Sequence, residues 1–510
     1  MPRGPRLGGG AQNRTDDIPH GAAVTEFEIK LEIPAARLDT VAAMLAAGPT
    51  TRMRLRALYV DTPDGALARH GIALRLRQED GRWVQTAKAA GRGPLERLEH
   101  NAEVAAGGDD APHPDVARHD GTPLGDMLRA ALGDAAADPA WTVVFETDVE
   151  RVLRDVEQAD STLEVALDRG RITAGGRSHT VRELEVELKF GDPVDALRLA
   201  RQWTARHGLW LSTISKAQRG RLLALGEVAG PPVDAEPARY PRKASPGEIV
   251  QAVLASCLAQ VVGNASEIAA GSSDNNHVHQ LRVGIRRLRT ALRELQPLAA
   301  LDAGCEPALV DTFRALGQHR DQFHVTRGLE PRIEAAGGPP LPTGSLGPSV
   351  PDPGEVVRAP AFQDALLELL GQQLRPAGKA GSARKPLRRR LQRLWRQVVR
   401  DGTRFTKLDE TLQHRVRKRL KRLRYLADFA QPLFSGHGQH AFLADLKPVQ
   451  DALGSYNDAL MALSAYRAMA QADAQALFGV GWLTAQREPL ARACEKSLRR
   501  LARKAEPFWT

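Results

Sequence analysis

Three cysteines, Cys257, Cys305 and Cys494, are all that a chain of 510 residues contains, and no two stand at a paired spacing. That excludes a disulfide framework and a cysteine-ligated zinc site, and it points to a reducing compartment, the cytoplasm. Aromatic residues make up 5% of the chain, and few lie among the basic residues. The stacking platforms that hold single-stranded nucleic acid are therefore lacking. No run of about 18 uncharged apolar residues occurs, so no transmembrane helix and no membrane partner are expected. The first 24 residues contain Gly and Arg but no apolar stretch, and read as a disordered tail rather than a signal peptide.

What is present is ordinary in bulk and uneven in detail. Hydrophobic residues at 42% and charged residues at 26% describe globular domains, and the length exceeds what one core serves. The net charge of +10 is concentrated: Arg384 to Arg424 carries 17 Lys or Arg against Asp401, Asp409 and Glu410, a net +14, which leaves −4 for the rest. So basic a segment calls for an anionic partner.

Up to about residue 228 the pattern is one of short strands. Glu26, Glu28, Lys30 and Glu32 alternate with Phe27, Ile29, Leu31 and Ile33. Residues two apart share a strand face but not a helix face. The alternation returns at 72–79, 163–168 and 183–188, and further strands are expected at 55–60, 82–88, 98–104, 143–152 and 170–174. Acids occupy the charged face of some strands (Glu26, Glu28; Glu183, Glu185, Glu187) and bases that of others (Arg75, Arg77). Carboxylates sharing a face repel unless a cation or base lies between them. A closed antiparallel barrel with these faces turned inward resolves the conflict. Its carboxylates would gather a hard divalent ion, Mg²⁺ or Mn²⁺, and its Lys and Arg would clamp an anion. Acidic and basic clusters together suit a polyanion delivered with its metal.

Residues 229–246, rich in Pro and polar residues, read as a linker. From 247 to 510 the pattern is one of long helices, interrupted by a Gly- and Pro-rich insertion expected at 337–354 to be flexible. This region repeats itself. His279-Gln-Leu-Arg-Val-Gly-Ile-Arg-Arg-Leu-Arg289 matches His414-Arg-Val-Arg-Lys-Arg-Leu-Lys-Arg-Leu-Arg424, and Leu316-Gly-Gln-His-Arg-Asp321 matches Leu453-Gly-Ser-Tyr-Asn-Asp458, at offsets of 135 and 137 residues. Two similar helical bundles follow, so the expected fold is an α+β barrel domain joined to an all-α domain of duplicated bundles. His279, Arg282, Arg286, Arg289 and Arg293 fall on one helix stripe, and His414, Arg417, Lys421 and Arg424 repeat it. No acid at i±4 neutralises the first stripe, so a ligand is expected there.

The stretch from Thr25 to Gly226 resembles a CYTH domain, the fold of triphosphate tunnel metalloenzymes. The resemblance rests on Glu26-Phe-Glu28-Ile-Lys30, Tyr59-Val-Asp-Thr-Pro-Asp64, Ile72-Ala-Leu-Arg75-Leu-Arg77, Trp83-Val-Gln-Thr-Ala-Lys88, Thr147-Asp-Val-Glu-Arg151, Leu167-Asp168-Arg-Gly170, Glu183-Leu-Glu185-Val-Glu187 and Ser215-Lys216-Ala-Gln-Arg219-Gly220, in the expected order. It implies that Glu26, Glu28, Asp168, Glu185 and Glu187 bind metal. It implies too that Lys30, Arg75, Arg77, Lys88, Arg151 and Lys216 clamp the triphosphate, Lys30, Arg75, Arg77 and Lys88 acting in catalysis. Glu183 falls outside the aligned pair; Glu32, Glu79 and Arg97 read as solvated or supporting. Asn101 departs from the pattern, since an acid often follows Arg97 and Glu99, and this leaves a second metal open.

Residues 249–507 resemble a CHAD domain, through the two His/Arg motifs, Leu316-Gly…Arg320-Asp321, and Leu446-Lys-Pro-Val-Gln450-Asp451-Ala-Leu-Gly454…Asn457-Asp458. That resemblance implies polyphosphate binding by the stripes His279, Arg282, Arg286, Arg289, Arg293 and His414, Arg417, Lys421, Arg424. Metal-dependent hydrolysis of inorganic triphosphate or short polyphosphate is thus the leading expectation. Its rivals are a non-catalytic protein of polyphosphate granules and a sequence-blind binder of nucleic-acid phosphates. For adenylate cyclisation the sequence offers no adenine pocket.

Overall fold

The computed structural model describes residues 24–509 except 80, 92, 105–110, 325–329, 340–350, 376–380 and 435–437. Residues 1–23 of the expected tail and 340–350 of the expected insertion lie outside the described residues.

The alternating segments become β1 (Val24–Glu32), β2 (Thr51–Asp61), β3 (Ile72–Glu79), β4 (Arg82–Ala90), β5 (Glu96–Val104), β6 (Thr142–Gln158), β7 (Ser161–Ala174) and β8 (Arg177–Phe190). They pair antiparallel in the order β5-β4-β3-β2-β6-β7-β8-β1, and β1 also pairs with β5, which closes an eight-stranded barrel. The short β9 (Trp210–Leu211) joins β1 alongside. The strands expected separately at 163–168 and 170–174 are one, running through Gly170. A Cβ on Gly170 would lie 2.1 Å from the Asp148 carbonyl oxygen, so glycine there lets β7 approach β6 without a break.

Over β1, β8, β3 and β4 the outward faces are apolar and covered, whereas β2, β6 and β7 turn Arg52, Arg54, Asp148, Glu150 and Arg169 outward in ion pairs at the surface. α1 (Leu38–Leu45) and α4 (Pro193–His207) lie over β1 and β8, while α2 (Ala66–Arg69) and α3 (Pro123–Leu132) cover β3 and β4 through Leu124, Leu128 and Ile72. The inward faces change character along the axis. At one end Tyr59, Phe145, Ile172 and Val181 form an apolar plug with Ala217 and Leu223 of α5 (Lys216–Leu225), which enters the barrel. Towards the other end the inward residues are charged.

The remaining chain is helical: α6 (Pro246–Ala269), α7 (Asn275–Glu294), α8 (Glu306–His324), α9 (Glu330–Ala335), α10 (Pro353–Arg358), α11 (Pro360–Leu374), α12 (Arg384–Gly402), α13 (Glu410–Ala430), α14 (Gly438–Met469) and α15 (Ala476–Lys504). The repeated motifs fall on α7 and α13, then on α8 and α14. α7 packs between α6 and α8 as α13 packs between α12 and α14. Residues 229–245 form no helix or strand, yet they are held. The Val233 amide and carbonyl bond the Asn264 side chain at 3.1 and 2.8 Å, and Ala238 and Ala244 are buried.

α6 corrects one expectation. With a mean hydropathy of 1.5 over its best window, it is long and apolar enough by composition to cross a membrane. Here 67% of that window is buried in protein, and its polar residues Gln260, Asn264 and Ser266 are buried and hydrogen-bonded. It is a core helix. A single apolar cluster runs from Ile29 and Leu31 on β1 through Leu197 and Trp203 on α4 to Ile249 and Leu254 on α6 and Leu366 on α11. The barrel and the helices therefore share buried surface rather than hanging on a tether.

Candidate active site

Strand register sets the charged end of the barrel. β1 and β8 place Glu28 opposite Glu187, Lys30 opposite Glu185 and Glu32 opposite Glu183. β8 and β7 place Glu187 opposite Glu164 and Glu183 opposite Asp168, and β7 and β6 place Asp168 opposite Arg151. On the far wall Lys88 of β4 faces Glu99 of β5, and Arg75 and Arg77 come from β3. All of these but Glu32 and Glu183 line a cavity of about 710 Å³.

Lys216 enters this space from the first turn of α5, whose start is capped by Ser215 accepting from the Gln218 amide at 3.1 Å. Its Nζ stands 2.7 Å from Asp168, 2.5 Å from Glu183 and 2.7 Å from Glu185. Arg151 donates to both oxygens of Asp168 at 2.7 Å and also to Glu185. Burial alone would raise the Glu185 carboxyl; Lys216 and Arg151 outweigh it and hold the group well below the usual carboxylate range. Across the cavity Lys88 pairs with Glu99 and lies 4.0 Å from Glu26, while Arg75 lies 3.8 Å from Glu99. Burial opposes ionisation of Glu99, but Lys88 and Arg75 bring it down to about 2. Arg77 pairs with Glu79, and burial with Arg75 beside it lowers Arg77 to about 10.

Two carboxyls go the other way. Burial, then Glu99, pushes Glu26 up to about 8, and burial, then Glu185, raises Glu28. Among the described residues no Lys or Arg is within ion-pair distance of Glu28. The donor set fits a hard divalent cation. Glu28 and Glu187 face each other as like charges, and the two acids least served by the basic residues carry raised pKa values. Asp168, Glu183 and Glu185 also bring ligand oxygens within 4.8 Å of one another, but Lys216 already sits among them. The five expected metal ligands are thus divided. Asp168 and Glu185 are ion-paired with Lys216 and Arg151, and Glu187 with Lys189 at 2.8 Å; Glu26 lies 4.0 Å from Lys88, and Glu28 has positive charge only at a distance.

All six expected clamp residues, Lys30, Arg75, Arg77, Lys88, Arg151 and Lys216, line the one cavity. Two acids were missed. Glu183, set aside on spacing, contacts Lys216. Glu99 is buried between Lys88 and Arg75, a position visible only once β4 and β5 are paired. Asn101 donates to Glu99 at 3.1 Å and accepts from Thr86 at 2.7 Å, so it orients that carboxylate. Of the residues read as solvated, Glu32 is pushed up to about 7 by burial and by Glu183, and Arg97 lines the cavity.

The helical stripes are less uniform than their spacing suggests. On α7, Arg282 is buried with its guanidinium 4.7 Å from the Phe313 ring centre, and Arg286 lies 5.7 Å from it. Arg289 pairs with Glu306 of α8 at 3.0 Å, an acid that local spacing could not supply. His279 is half-buried and Arg293 exposed. On α13, His414 and Arg424 are exposed, and Arg417 and Lys421 half-buried. The +14 segment forms α12 and α13, and part of its charge is internal. Arg390, Arg393 and Arg422 surround the buried Glu294 of α7, and Arg400, Arg404 and Arg419 surround Asp401.

Residues 25–220 match the family model of the CYTH domain, and residues 252–467 that of the CHAD domain. An inorganic triphosphatase of Haemophilus influenzae is 34% identical over 170 residues, which are 32% of this chain and 44% of that protein, so less than half of that relative is spanned. An uncharacterized protein of Mycobacterium tuberculosis is 24% identical over 533 residues, covering 96% of this chain and 98% of its own length. The crystal structure of the CHAD domain from the plant Ricinus communis is similar at 27% identity and a TM-score of 0.45, over 52% of this chain and 96% of that one.

Proposed function

For a chain that carries a CYTH domain followed by a CHAD domain, we propose metal-dependent hydrolysis of inorganic triphosphate or short polyphosphate in the barrel, with polyphosphate held by the helical half. The observation that carries the reading is one cavity in which Lys30, Arg75, Arg77, Lys88, Arg151 and Lys216 face Glu26, Glu28, Glu99, Asp168, Glu185 and Glu187. A neutral substrate would waste both sets. A triphosphate bound with its cation needs both.

Glu26, Glu28 and Glu187, with Asp168 and Glu185 beside them, are the residues that would hold Mg²⁺ or Mn²⁺. The bound ion would neutralise phosphate charge and polarise the scissile anhydride. The other parts belong to the chain. Arg75 and Arg77 present forked donors suited to phosphate oxygens, and Lys88, Lys30 and Lys216 add point charges. Their attraction grows as charge develops on the leaving phosphate, which lowers the barrier more than it tightens binding. Glu28, without an ion pair, is placed to orient an attacking water. The reaction needs no covalent nucleophile.

Phosphate release from triphosphate, thiamine triphosphate, nucleotides and long polyphosphate, each with Mg²⁺, Mn²⁺ or EDTA, tests the reading. Metal-dependent release from triphosphate is expected. Absence of release from every substrate would remove the enzymatic reading and leave a binding protein.

A further inference from the structure

Lys216 is borne on a helix rather than on a barrel strand; α5 also brings Arg221 to the cavity wall, but it is Lys216 that meets the carboxylates, and its position depends on the segment leading from β9 into α5. On its inner side that segment is tied to the barrel, the Ser212 amide donating to the Lys30 carbonyl at 2.9 Å. On its outer side every tie comes from the helical half. The Leu211 amide donates to Gln363 of α11 at 2.8 Å. The Thr213 amide and hydroxyl reach Ser266 of α6 at 3.0 and 3.3 Å. The Gln218 side chain donates to Glu267 of α6 at 3.1 Å. Gln363, Ser266 and Glu267 are 1%, 2% and 3% exposed, so these polar groups are committed to the interface.

Their chemistry is what makes them informative. The surrounding interface is apolar, and more Leu or Val would have held the halves together without desolvating a carboxylate. Apolar packing is non-directional, whereas a hydrogen bond fixes where a particular N–H lies. Here the bonds fix the residues on both sides of Lys216. Gly230 closes over the last pair: a Cβ there would stand 3.0 Å from the Glu267 oxygen and 3.1 Å from the Gln218 nitrogen. The demand for accuracy comes from Lys216 itself, whose Nζ meets three carboxylates between 2.5 and 2.7 Å. Such contacts tolerate displacements of only about 0.5 Å.

We infer that Ser266, Glu267 and Gln363 of the helical half are positioning residues for Lys216, so that the anion site of the barrel is completed by α6 and α11 of the domain that follows it. This rests on the triphosphate reading of the cavity. α6 in turn is closely seated on α7, the helix of the first basic stripe, where Gly284 lies against Gln260 and Val261. The helices expected to hold a polyanion and the lysine in the barrel are therefore parts of one packed unit.

The test uses the full chain and compares wild type, S266A/E267A, E267Q, K216M and the combination of all three changes S266A/E267A/K216M. The dissociation constant of tripolyphosphate is measured by calorimetry in EDTA, where no turnover occurs, and kcat and KM are measured with Mg²⁺. S266A/E267A is expected to weaken tripolyphosphate binding about tenfold, the effect of one misplaced charged contact. E267Q should stay near wild type, because an amide oxygen still accepts from Gln218. The combined variant should bind no more weakly than K216M, since residues that act only through Lys216 lose their effect once it is gone. Additive losses in the combined variant, or wild-type affinity in S266A/E267A, would overturn the inference. Should the double variant not fold, S266A alone carries the same comparison. If wild type binds tripolyphosphate but does not hydrolyse it whichever cation is supplied, the enzymatic reading falls and the positioning inference is still decided by these affinities. If wild type does not bind it, both fall.

Discussion

Glu28 on β1 and Glu187 on β8 are direct cross-strand partners, two carboxylates set side by side on the cavity wall. Like charges directly opposite on a sheet destabilise it. Lys189 answers Glu187 at 2.8 Å but not Glu28, and retaining both acids makes sense where a further cation is shared between them. Glu28→Gln should therefore abolish metal-dependent phosphate release while raising the melting temperature of the metal-free protein. Unchanged turnover at saturating Mg²⁺ would remove Glu28 from the site.

The pH dependence of the metal-free protein follows from Glu26. An unfolded glutamate titrates near about 4.3, and Glu26 in the fold has been pushed up to about 8. Between these values the folded state binds the extra proton, so stability should fall as pH rises through that window. Metal binding requires the ionised carboxylate and offsets the loss. The rise in melting temperature on adding Mg²⁺ should thus be larger at about pH 8.5 than at about pH 6. An equal rise at both, read by scanning calorimetry, would contradict this.

Arg75 and Arg77 differ from surface arginines in being walled in, with side chains 12% and 17% exposed. Arg75→Ala and Arg77→Ala should each lower kcat by about 100-fold and also raise KM, because their charge acts most on the transition state. Wild-type kcat/KM in either variant would place that arginine outside the clamp.

The helical half should bind long-chain polyphosphate without a metal. Charges on α7 and α13 recur along each helix about every 5.4 Å, a spacing suited to a linear polyanion. Arg286→Glu with Lys421→Glu should weaken binding more than either change alone, and binding should weaken as salt is raised. A preference for duplex DNA over polyphosphate of matched charge, measured by competition, would favour the nucleic-acid reading for these helices.

Gly220 gives a test of the plug. A Cβ at that position would lie 2.2 Å from the Phe145 ring. Gly220→Ala should cost about 1–3 kcal/mol through overpacking and should also impair turnover, since α5 cannot retreat without moving Lys216. Full stability in denaturant titration would show that the helix shifts freely.

Period-two alternation made the strands legible, because side-chain direction along a strand is local. The duplicated His/Arg motif did the same for α7 and α13. Local pattern could not reveal that residues 163–174 form one strand, since only the approach of β6 gives Gly170 its reason. Nor could it place Glu99, whose role depends on Lys88 from the neighbouring strand.

The sequence by itself determined which faces of which strands are charged, where the helices start to repeat, and that acids and bases must meet inside a closed sheet. Those are properties of residue type and spacing. Only the tertiary structure decided which charges are neutralised and which are left to bind something else. Lys216 is drawn to Asp168, Glu183 and Glu185, Glu306 is brought to Arg289, and Glu28 is left facing Glu187. Ion pairing acts over a few ångströms of space, and residues that close can stand anywhere along the chain.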